Sequence, residues 1–174
     1  MKKIFLLLLV LAFSISGCEK DDICDPDTPT TPRLIISLYS VVDPSLLKPA
    51  SKLFLLGEGM DTGILFTNAS TIQVPLQTTQ DSTKYSFILN YDADSDPETE
   101  YTDILQFNYS RENLYVSRAC GYKTVFDLNN QPGLPNPYVL NNDPDKIEGN
   151  WIKYITIKNF NIDNENETQI NIYY

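Results

Sequence analysis

The fold is decided by the stretch Tyr85-Ser86-Phe87-Ile88-Leu89-Asn90-Tyr91 (residues 85–91), whose aromatic side chains fall on one face of an extended chain. A similar period-two alternation recurs in Thr102-Asp103-Ile104-Leu105-Gln106-Phe107-Asn108-Tyr109 (residues 102–109). Successive side chains of a β-strand point to opposite faces, so this alternation is typical of strands. The acidic segment between the two stretches predicts the loop of a β-hairpin.

Other short stretches rich in β-branched and aromatic residues surround this hairpin. The further predicted strands are 34–39, 52–56, 64–67, 70–76, 114–117, 122–126 and a C-terminal hairpin of 151–160 and 168–174. Turn signals separate them, including Gly57-Glu58-Gly59, a bulge or bend at Cys120-Gly121, and three prolines and a glycine in residues 129–137. Sustained helical periodicity is absent after residue 32. The pattern predicts an all-β domain at 33–174, an antiparallel β-sandwich of immunoglobulin-like proportions, with a small β-barrel as the alternative.

The N-terminus has the pattern of an export signal. Lys2 and Lys3 precede the apolar residues 4–12, and Ser16-Gly17 supply two small side chains before Cys18. The apolar run is shorter than the roughly 20 residues that a membrane-spanning helix needs. It predicts a signal peptide at 1–17. The small residues before Cys18 resemble the lipobox of bacterial lipoproteins, which implies cleavage after Gly17, diacylation of the Cys18 sulfur and acylation of the new amine.

The segment that follows predicts a tether. Cys18-Glu19-Lys20-Asp21-Asp22 resembles the export tag of surface-exposed lipoproteins in Bacteroidetes-type cells. The alternative is a solvated linker that happens to be charged. We expect the outer face of the outer membrane, with three acyl chains holding the protein more firmly than one chain would. Prolines at 26, 29 and 32 stiffen the remainder, so residues 18–32 are predicted as a lipid-anchored flexible linker.

Three cysteines become an even pair once Cys18 carries lipid. Cys24 and Cys120 remain in an oxidising compartment and are predicted to form a disulfide. Such a bridge is worth on the order of 2–5 kcal/mol in the chain-entropy account. The alternative is two separate buried thiols, although Cys24 stands in a polar segment that offers no core. Two cysteines without any histidine make a poor transition-metal site.

Charge and composition exclude several functions. The chain has 13 basic and 23 acidic residues, and removing Lys2 and Lys3 with the signal peptide leaves 11 basic residues and a charge of −12. Nucleic-acid binding is not expected, because a phosphate backbone requires a basic face. With no histidine, serine–histidine and cysteine–histidine nucleophiles are impossible. A carboxylate pair remains open by residue count alone. We predict that the protein is not an enzyme and has no cofactor.

One acidic loop has the spacing of metal ligands. Asp92, Asp94 and Asp96 stand at alternate positions, as at the start of a calcium loop. Pro97 occupies the place of the glycine that lets such a loop turn, and Asp103 that of the bidentate glutamate. A solvated hairpin loop is therefore the favoured interpretation, with calcium binding as the alternative.

The chain is also rich in tyrosine, which raises the possibility of a sugar-binding platform on one sheet. Half-buried sheet surface is the commoner role of tyrosine at strand spacing and is favoured here. The members of such a platform would be Tyr101, Tyr109, Tyr115, Tyr122, Tyr138 and Tyr154.

Three segments together resemble a Bacteroidetes lipoprotein family of unknown function. They are residues 31–36 (Thr-Pro-Arg-Leu-Ile-Ile), 74–76 (Val-Pro-Leu) and 116–126, which contain the Arg-Ala-Cys-Gly-Tyr motif at 118–122. The resemblance implies the same architecture and the same pairing of an N-terminal cysteine with the cysteine of the motif. It brings no activity or ligand. The function expected from all of these observations is a non-enzymatic accessory or interaction module that contacts an outer-membrane protein, and the alternative is a carbohydrate- or calcium-binding lipoprotein.

Overall fold

A computed structural model of the chain describes residues 23–92 and 100–174, which form eleven β-strands and no helix. Within these two ranges no helix is long and apolar enough to cross a membrane. The strands are β1 (Leu34–Tyr39), β2 (Ala50–Gly57), β3 (Ile64–Ala69), β4 (Thr71–Val74), β5 (Ser82–Leu89), β6 (Tyr101–Ser117), β7 (Gly121–Leu128), β8 (Tyr138–Leu140), β9 (Tyr154–Ile157), β10 (Asn161–Ile162) and β11 (Ile170–Tyr173).

The strands form two sheets. The smaller has the order β4-β1-β11-β9, and the larger has the order β10-β7-β6-β5-β2-β3, with β8 paired to β6. All pairs are antiparallel except β1 and β11, in which Ile36 lies beside Ile170. The predicted all-β sandwich is confirmed, with one parallel pair added to it. Five of the six side chains of β1 are buried, as expected for a strand that lies between two neighbours and faces a core.

The predicted central hairpin is confirmed. β5 pairs with β6 from Leu89 opposite Tyr101 to Ser82 opposite Asn108. The prediction of separate strands at 102–109 and 114–117 is wrong, because β6 continues through the polar residues between them. Their backbone stays paired to β7, with Arg111 opposite Phe126, so the strand does not end where the apolar pattern does.

The bend predicted at Cys120-Gly121 is the turn that joins β6 to β7. Gly121 has a φ of 71°, a left-handed conformation that glycine adopts without steric cost. The pairing register also shifts between Tyr115 and Ser117, which marks a bulge just before this turn.

The predicted C-terminal hairpin is confirmed as β9 paired antiparallel with β11. Between these strands the chain leaves the small sheet, and β10 pairs Ile162 with Phe126 of β7 in the large sheet. This crossing ties the two sheets together.

The core lies between the sheets and is formed by alternate residues of their strands. Phe87 and Phe107 meet edge to face with ring centroids 6.3 Å apart, and Tyr109 meets Phe126 at 5.2 Å. Full burial of each such side chain contributes about 1.5–3 kcal/mol relative to exposure. The largest fully buried side chains are Tyr109, Phe87, Phe107, Phe126, Leu34, Ile36, Leu38, Leu53, Leu55, Ile72, Leu105 and Leu128.

Candidate functional site

The β6–β7 hairpin extends beyond the sandwich as a two-stranded arm. β5 pairs with β6 only as far as Asn108, and β10 pairs with β7 only at residues 126–127. Residues 112–117 and 121–125 therefore pair mainly with each other. A two-stranded hairpin alone is marginally stable in water, so this arm depends on contacts with the rest of the chain.

The N-terminal segment provides those contacts. Cys24 and Cys120 form a disulfide, with Sγ atoms 2.01 Å apart and Cα atoms 4.9 Å apart, which is the pairing that the cysteine count predicts. Farther along, the backbone N–H of Thr124 donates to Oγ1 of Thr31 at 2.9 Å. Residues 23–32 of the predicted linker thus contact the arm at its tip and along β7. Cys18, the predicted lipidation site, lies outside the described residues.

An ion pair fixes the chain at the start of β1. Arg33 donates from Nε and Nη2 to the two carboxylate oxygens of Glu165, at 2.8 and 2.6 Å, and its backbone N–H donates to Oε1 at 2.9 Å. These hydrogen bonds lower the pKa of Glu165 from its usual value. The side chain of Arg33 is 46% exposed, so the pair contributes modestly to stability.

The candidate calcium ligands are only partly described. Asp94 and Asp96 lie outside the described residues. The carboxylate of Asp92 lies 3.4 Å from Nζ of Lys52, and its backbone N–H donates to Glu100 at 3.0 Å. In residues 23–92 and 100–174 no group of three acidic or cysteine side chains is placed to hold a metal ion. Calcium binding by this loop remains a prediction.

The tyrosines do not form one platform. Tyr109 is buried and shares hydrogen bonds with Thr83 and the carbonyl of Gln77, at 2.5 and 3.0 Å. Tyr154 belongs to the smaller sheet, where it stacks on Tyr173 at 4.2 Å. The exposed tyrosines of β6 lie at its two ends, Tyr101 at one and Tyr115 at the other.

Asp103 is a site residue that the sequence reasoning missed. Its carboxylate is fully buried and accepts four hydrogen bonds, from Nδ2 of Asn141 and from the backbone N–H groups of Asn150, Trp151 and Ile152, at 2.7–2.9 Å. The carboxylate holds the loop between β8 and β9 against β6. The signal was present, because Asp103 is in phase with the inward-facing Leu105 and Phe107 of an alternating strand.

One edge of the large sheet is β3, and β10 lies at the other end. Among the described residues β3 is the longest of the five strands that have only one partner, with six residues against four in β4 and β9, three in β8 and two in β10. β3 carries no charged residue, and Ile64 and Leu65 are 37% and 51% exposed. Edge strands usually carry charges or proline, which discourage pairing with another chain. β3 has neither.

A mainly apolar groove of about 420 Å³ lies beside the start of β3. Its walls come from the turn after β2, from residues 75–77 and from the first part of β5. The hydroxyl of Tyr85 donates to the carbonyl of Pro75 at 3.0 Å, and burial raises the pKa of Tyr85. Lys84 and Glu58, both in the wall, form an ion pair at 3.0 Å. The groove thus offers apolar surface with one pair of opposite charges.

Residues 52–174 match a family described as Family of unknown function (DUF6452). The chain belongs to this family. The match spans β2 to β11, and so includes the β3 edge, the groove, the arm and Asp103 of this DUF6452 chain. No curated protein and no solved structure matches the chain.

Proposed function

We propose that this DUF6452 protein is a non-enzymatic lipoprotein of the outer membrane of Bacteroidetes-type cells, exposed on the surface, which binds an extended segment of a partner protein along β3. The observation that carries the proposal is the length of this uncharged edge strand together with its exposed apolar residues Ile64 and Leu65. An incoming strand would pair with the backbone of β3 and extend the seven-stranded sheet.

The position of the groove supports this mode of binding. Pockets beside a sheet edge give specificity by receiving alternate side chains of an added strand, while the backbone hydrogen bonds give affinity. The groove is bounded by Gly63 and Ile64, the residues that lead into β3. A partner strand that pairs with β3 would meet the groove at this end of the strand, since the other walls of the groove come from β2, β5 and residues 75–77.

The lack of charge on β3 also supports a protein strand as the occupant. The chain carries a net charge of −10, so an acidic partner would be repelled by most of its surface. Along β3 the partner meets no charge, and it loses no ion pair on binding. Pairing at this edge thus depends on backbone hydrogen bonds and apolar contacts.

The assignment as a non-enzyme has its own support. Among the described residues Asp103 is the one buried carboxylate, and its four hydrogen bonds come from groups that hold a loop. General acid–base catalysis needs a titratable group that reaches a substrate. The carboxylate of Asp103 is buried, and the groups that donate to it hold a loop in place, so it does not reach a substrate.

The membrane assignment is supported by the sequence around Cys18, where an apolar run and two small residues precede the cysteine. Lipidation of Cys18 would place the anchor six residues before the disulfide. Three acyl chains suffice to hold a protein at a membrane.

The test is site-specific photo-crosslinking on intact cells that express the full, lipidated chain. A photoreactive side chain replaces Leu65 on β3 or, as the matched control, Gln73 on β4, which is an exposed position on the edge strand of the other sheet. We expect one abundant partner from position 65 and none from position 73.

A charge at the same site gives a second test. Leu65→Lys adds a group that disfavours edge pairing and is tolerated because the side chain is half exposed. We expect loss of partner recovery with this variant and full recovery with Gln73→Lys. Equal crosslinking from both positions, or crosslinking of the chain only to itself, would overturn the proposal.

A further inference from the structure

We infer that the tip of the β6–β7 arm lies against the lipid surface in which the chain is anchored, and that this contact fixes the orientation of the domain. The inference rests on the lipid anchor at Cys18 proposed above. The tip is defined here as residues 114–123, which hold the disulfide half Cys120.

The disulfide determines how far the tip can move from the anchor. Six residues separate Cys18 from Cys24, and a fully extended chain of six residues spans at most about 20 Å. Without the disulfide, the nearest attachments in the described residues would be Thr31, hydrogen-bonded to β7, and the ion-paired Arg33, thirteen and fifteen residues from Cys18 and roughly 45–50 Å away at full extension. The bridge therefore makes the arm the part of the domain nearest to the anchor.

The chemistry of the tip suits a membrane interface. Tyr115 and Tyr122 are 62% and 69% exposed, and their rings meet edge to face at 5.4 Å. Tyrosine combines an apolar ring with a polar hydroxyl and is enriched at the level of lipid headgroups. Arg118 is exposed in the turn, and Lys123 lies one residue after Tyr122. Long basic side chains reach headgroup phosphates from such positions.

Charge alone does not explain the contact. Asp25 and Asp27 are exposed beside Cys24 and offset the two basic residues of the tip. The tyrosine pair therefore supplies the attraction, and the lipid that fits is zwitterionic. Strongly anionic headgroups would meet these aspartates and the net negative chain.

The end of the sandwich opposite the tip also exposes apolar residues and serves as an internal control. Val42 and Leu46 are 91% and 58% exposed in the loop after β1, so this loop is also apolar. It follows the end of β1 at Tyr39, whereas Arg33 at the start of β1 lies beside the tether. With the tip on the membrane, the loop at residues 40–47 points away from it.

The experiment uses the chain as it is isolated from the cells that make it, reconstituted in vesicles of phosphatidylcholine that contain a small fraction of a phosphatidylcholine with a photoreactive group near the headgroup. After irradiation, lipid adducts are located on tryptic peptides by mass spectrometry. We expect adducts on residues 112–118 and 119–123 and none on residues 40–47. Tyr115→Ser together with Tyr122→Ser should lower the adduct yield about fivefold, in line with the loss of two aromatic interface contacts. Tyr101→Ser, an exposed tyrosine at the far end of β6, is the matched control and should leave the yield unchanged.

Flotation of the vesicles separates the two proposals. If the wild-type chain floats with the vesicles but residues 112–123 carry no adducts, or residues 40–47 carry as many, the membrane contact of the tip is overturned while the anchor stands. If the chain fails to float, the anchor and the contact both fail. The double variant Cys24→Ser with Cys120→Ser should still float and lose most adducts on the tip. Unchanged adducts in that variant would show that the disulfide does not orient the domain.

Discussion

Replacing Asp103 by asparagine tests whether the buried carboxylate holds the loop between β8 and β9. Each carboxylate oxygen accepts two hydrogen bonds, Oδ1 from Asn141 and Asn150 and Oδ2 from the backbone of Trp151 and Ile152. Asparagine keeps the shape of the side chain but offers only one accepting oxygen, and its NH₂ group faces donors. Two of the four donors therefore lose their acceptor.

The structure sets the expected magnitude. A buried donor left without an acceptor costs about 1–3 kcal/mol, so two such donors cost about 2–6 kcal/mol. This is a large part of the 5–15 kcal/mol that is typical for the unfolding of a domain. We expect Asp103→Asn to lower the urea midpoint strongly, and to unfold the protein at the upper end of this range.

The assay is urea unfolding followed by tryptophan fluorescence. Trp151 is the single tryptophan, and its backbone N–H donates to Asp103, so its emission reports on the loop itself. Asp127→Asn is the control, because Asp127 is exposed on the neighbouring strand β7. A loss of less than about 1 kcal/mol, equal to that of the control, would show that the carboxylate does not hold the loop, since a lone unsatisfied donor already costs that much.

Three further outcomes are expected. Replacing Cys24 and Cys120 by serine should lower the free energy of unfolding by about 2–5 kcal/mol in urea titrations, and an unchanged midpoint would contradict the stabilising role of the bridge. Arg33 lowers the pKa of Glu165. The ion pair therefore stabilises the fold at pH values above the ordinary carboxyl pKa, and this stabilisation is lost as the pH falls through the lowered pKa of Glu165. On acidification, the free energy of unfolding of the wild type should therefore fall by up to about 1 kcal/mol more than that of Glu165→Gln. Parallel curves of stability against pH for the two proteins would contradict this prediction. Gly149→Ala should lower the melting temperature, because a Cβ there would overlap the buried carboxylate of Asp103 in β6, whereas an unchanged melting temperature would show that the loop can shift freely.

Local patterns predicted the strands well wherever one face of a strand is buried. The sequence predicts β1, β2 and β5 because a buried strand face requires apolar residues, which produce an apolar or alternating pattern along the strand. The length of β6 was not found, because residues 110–113 are polar and their pairing with β7 depends on backbone hydrogen bonds alone. The parallel pairing of β1 with β11 joins residues more than 130 positions apart, which a local pattern does not encode.

The functional features also differ in whether the sequence alone can predict them. The pairing of Cys24 with Cys120 follows from a count, because assigning Cys18 to lipid leaves an even pair. The edge position of β3 does not follow from its sequence, since Ile64–Ala69 resembles a central strand in composition. A strand lies at the edge of a sheet when no other segment pairs with its second side, which depends on segments that are distant in the sequence. The groove beside β3 depends on such segments too, because residues 75–77 and β5 form part of its wall.

The most direct test of the account is the mass of the N-terminal peptide from the protein in cells where it occurs naturally, together with its accessibility to protease on intact cells. We expect a chain that begins at Cys18, carries the mass of a diacylglyceryl group and an N-acyl chain, fractionates with the outer membrane and is cleaved by protease added outside. A chain that retains Met1, or a soluble chain cleaved at another residue and without lipid, would contradict it.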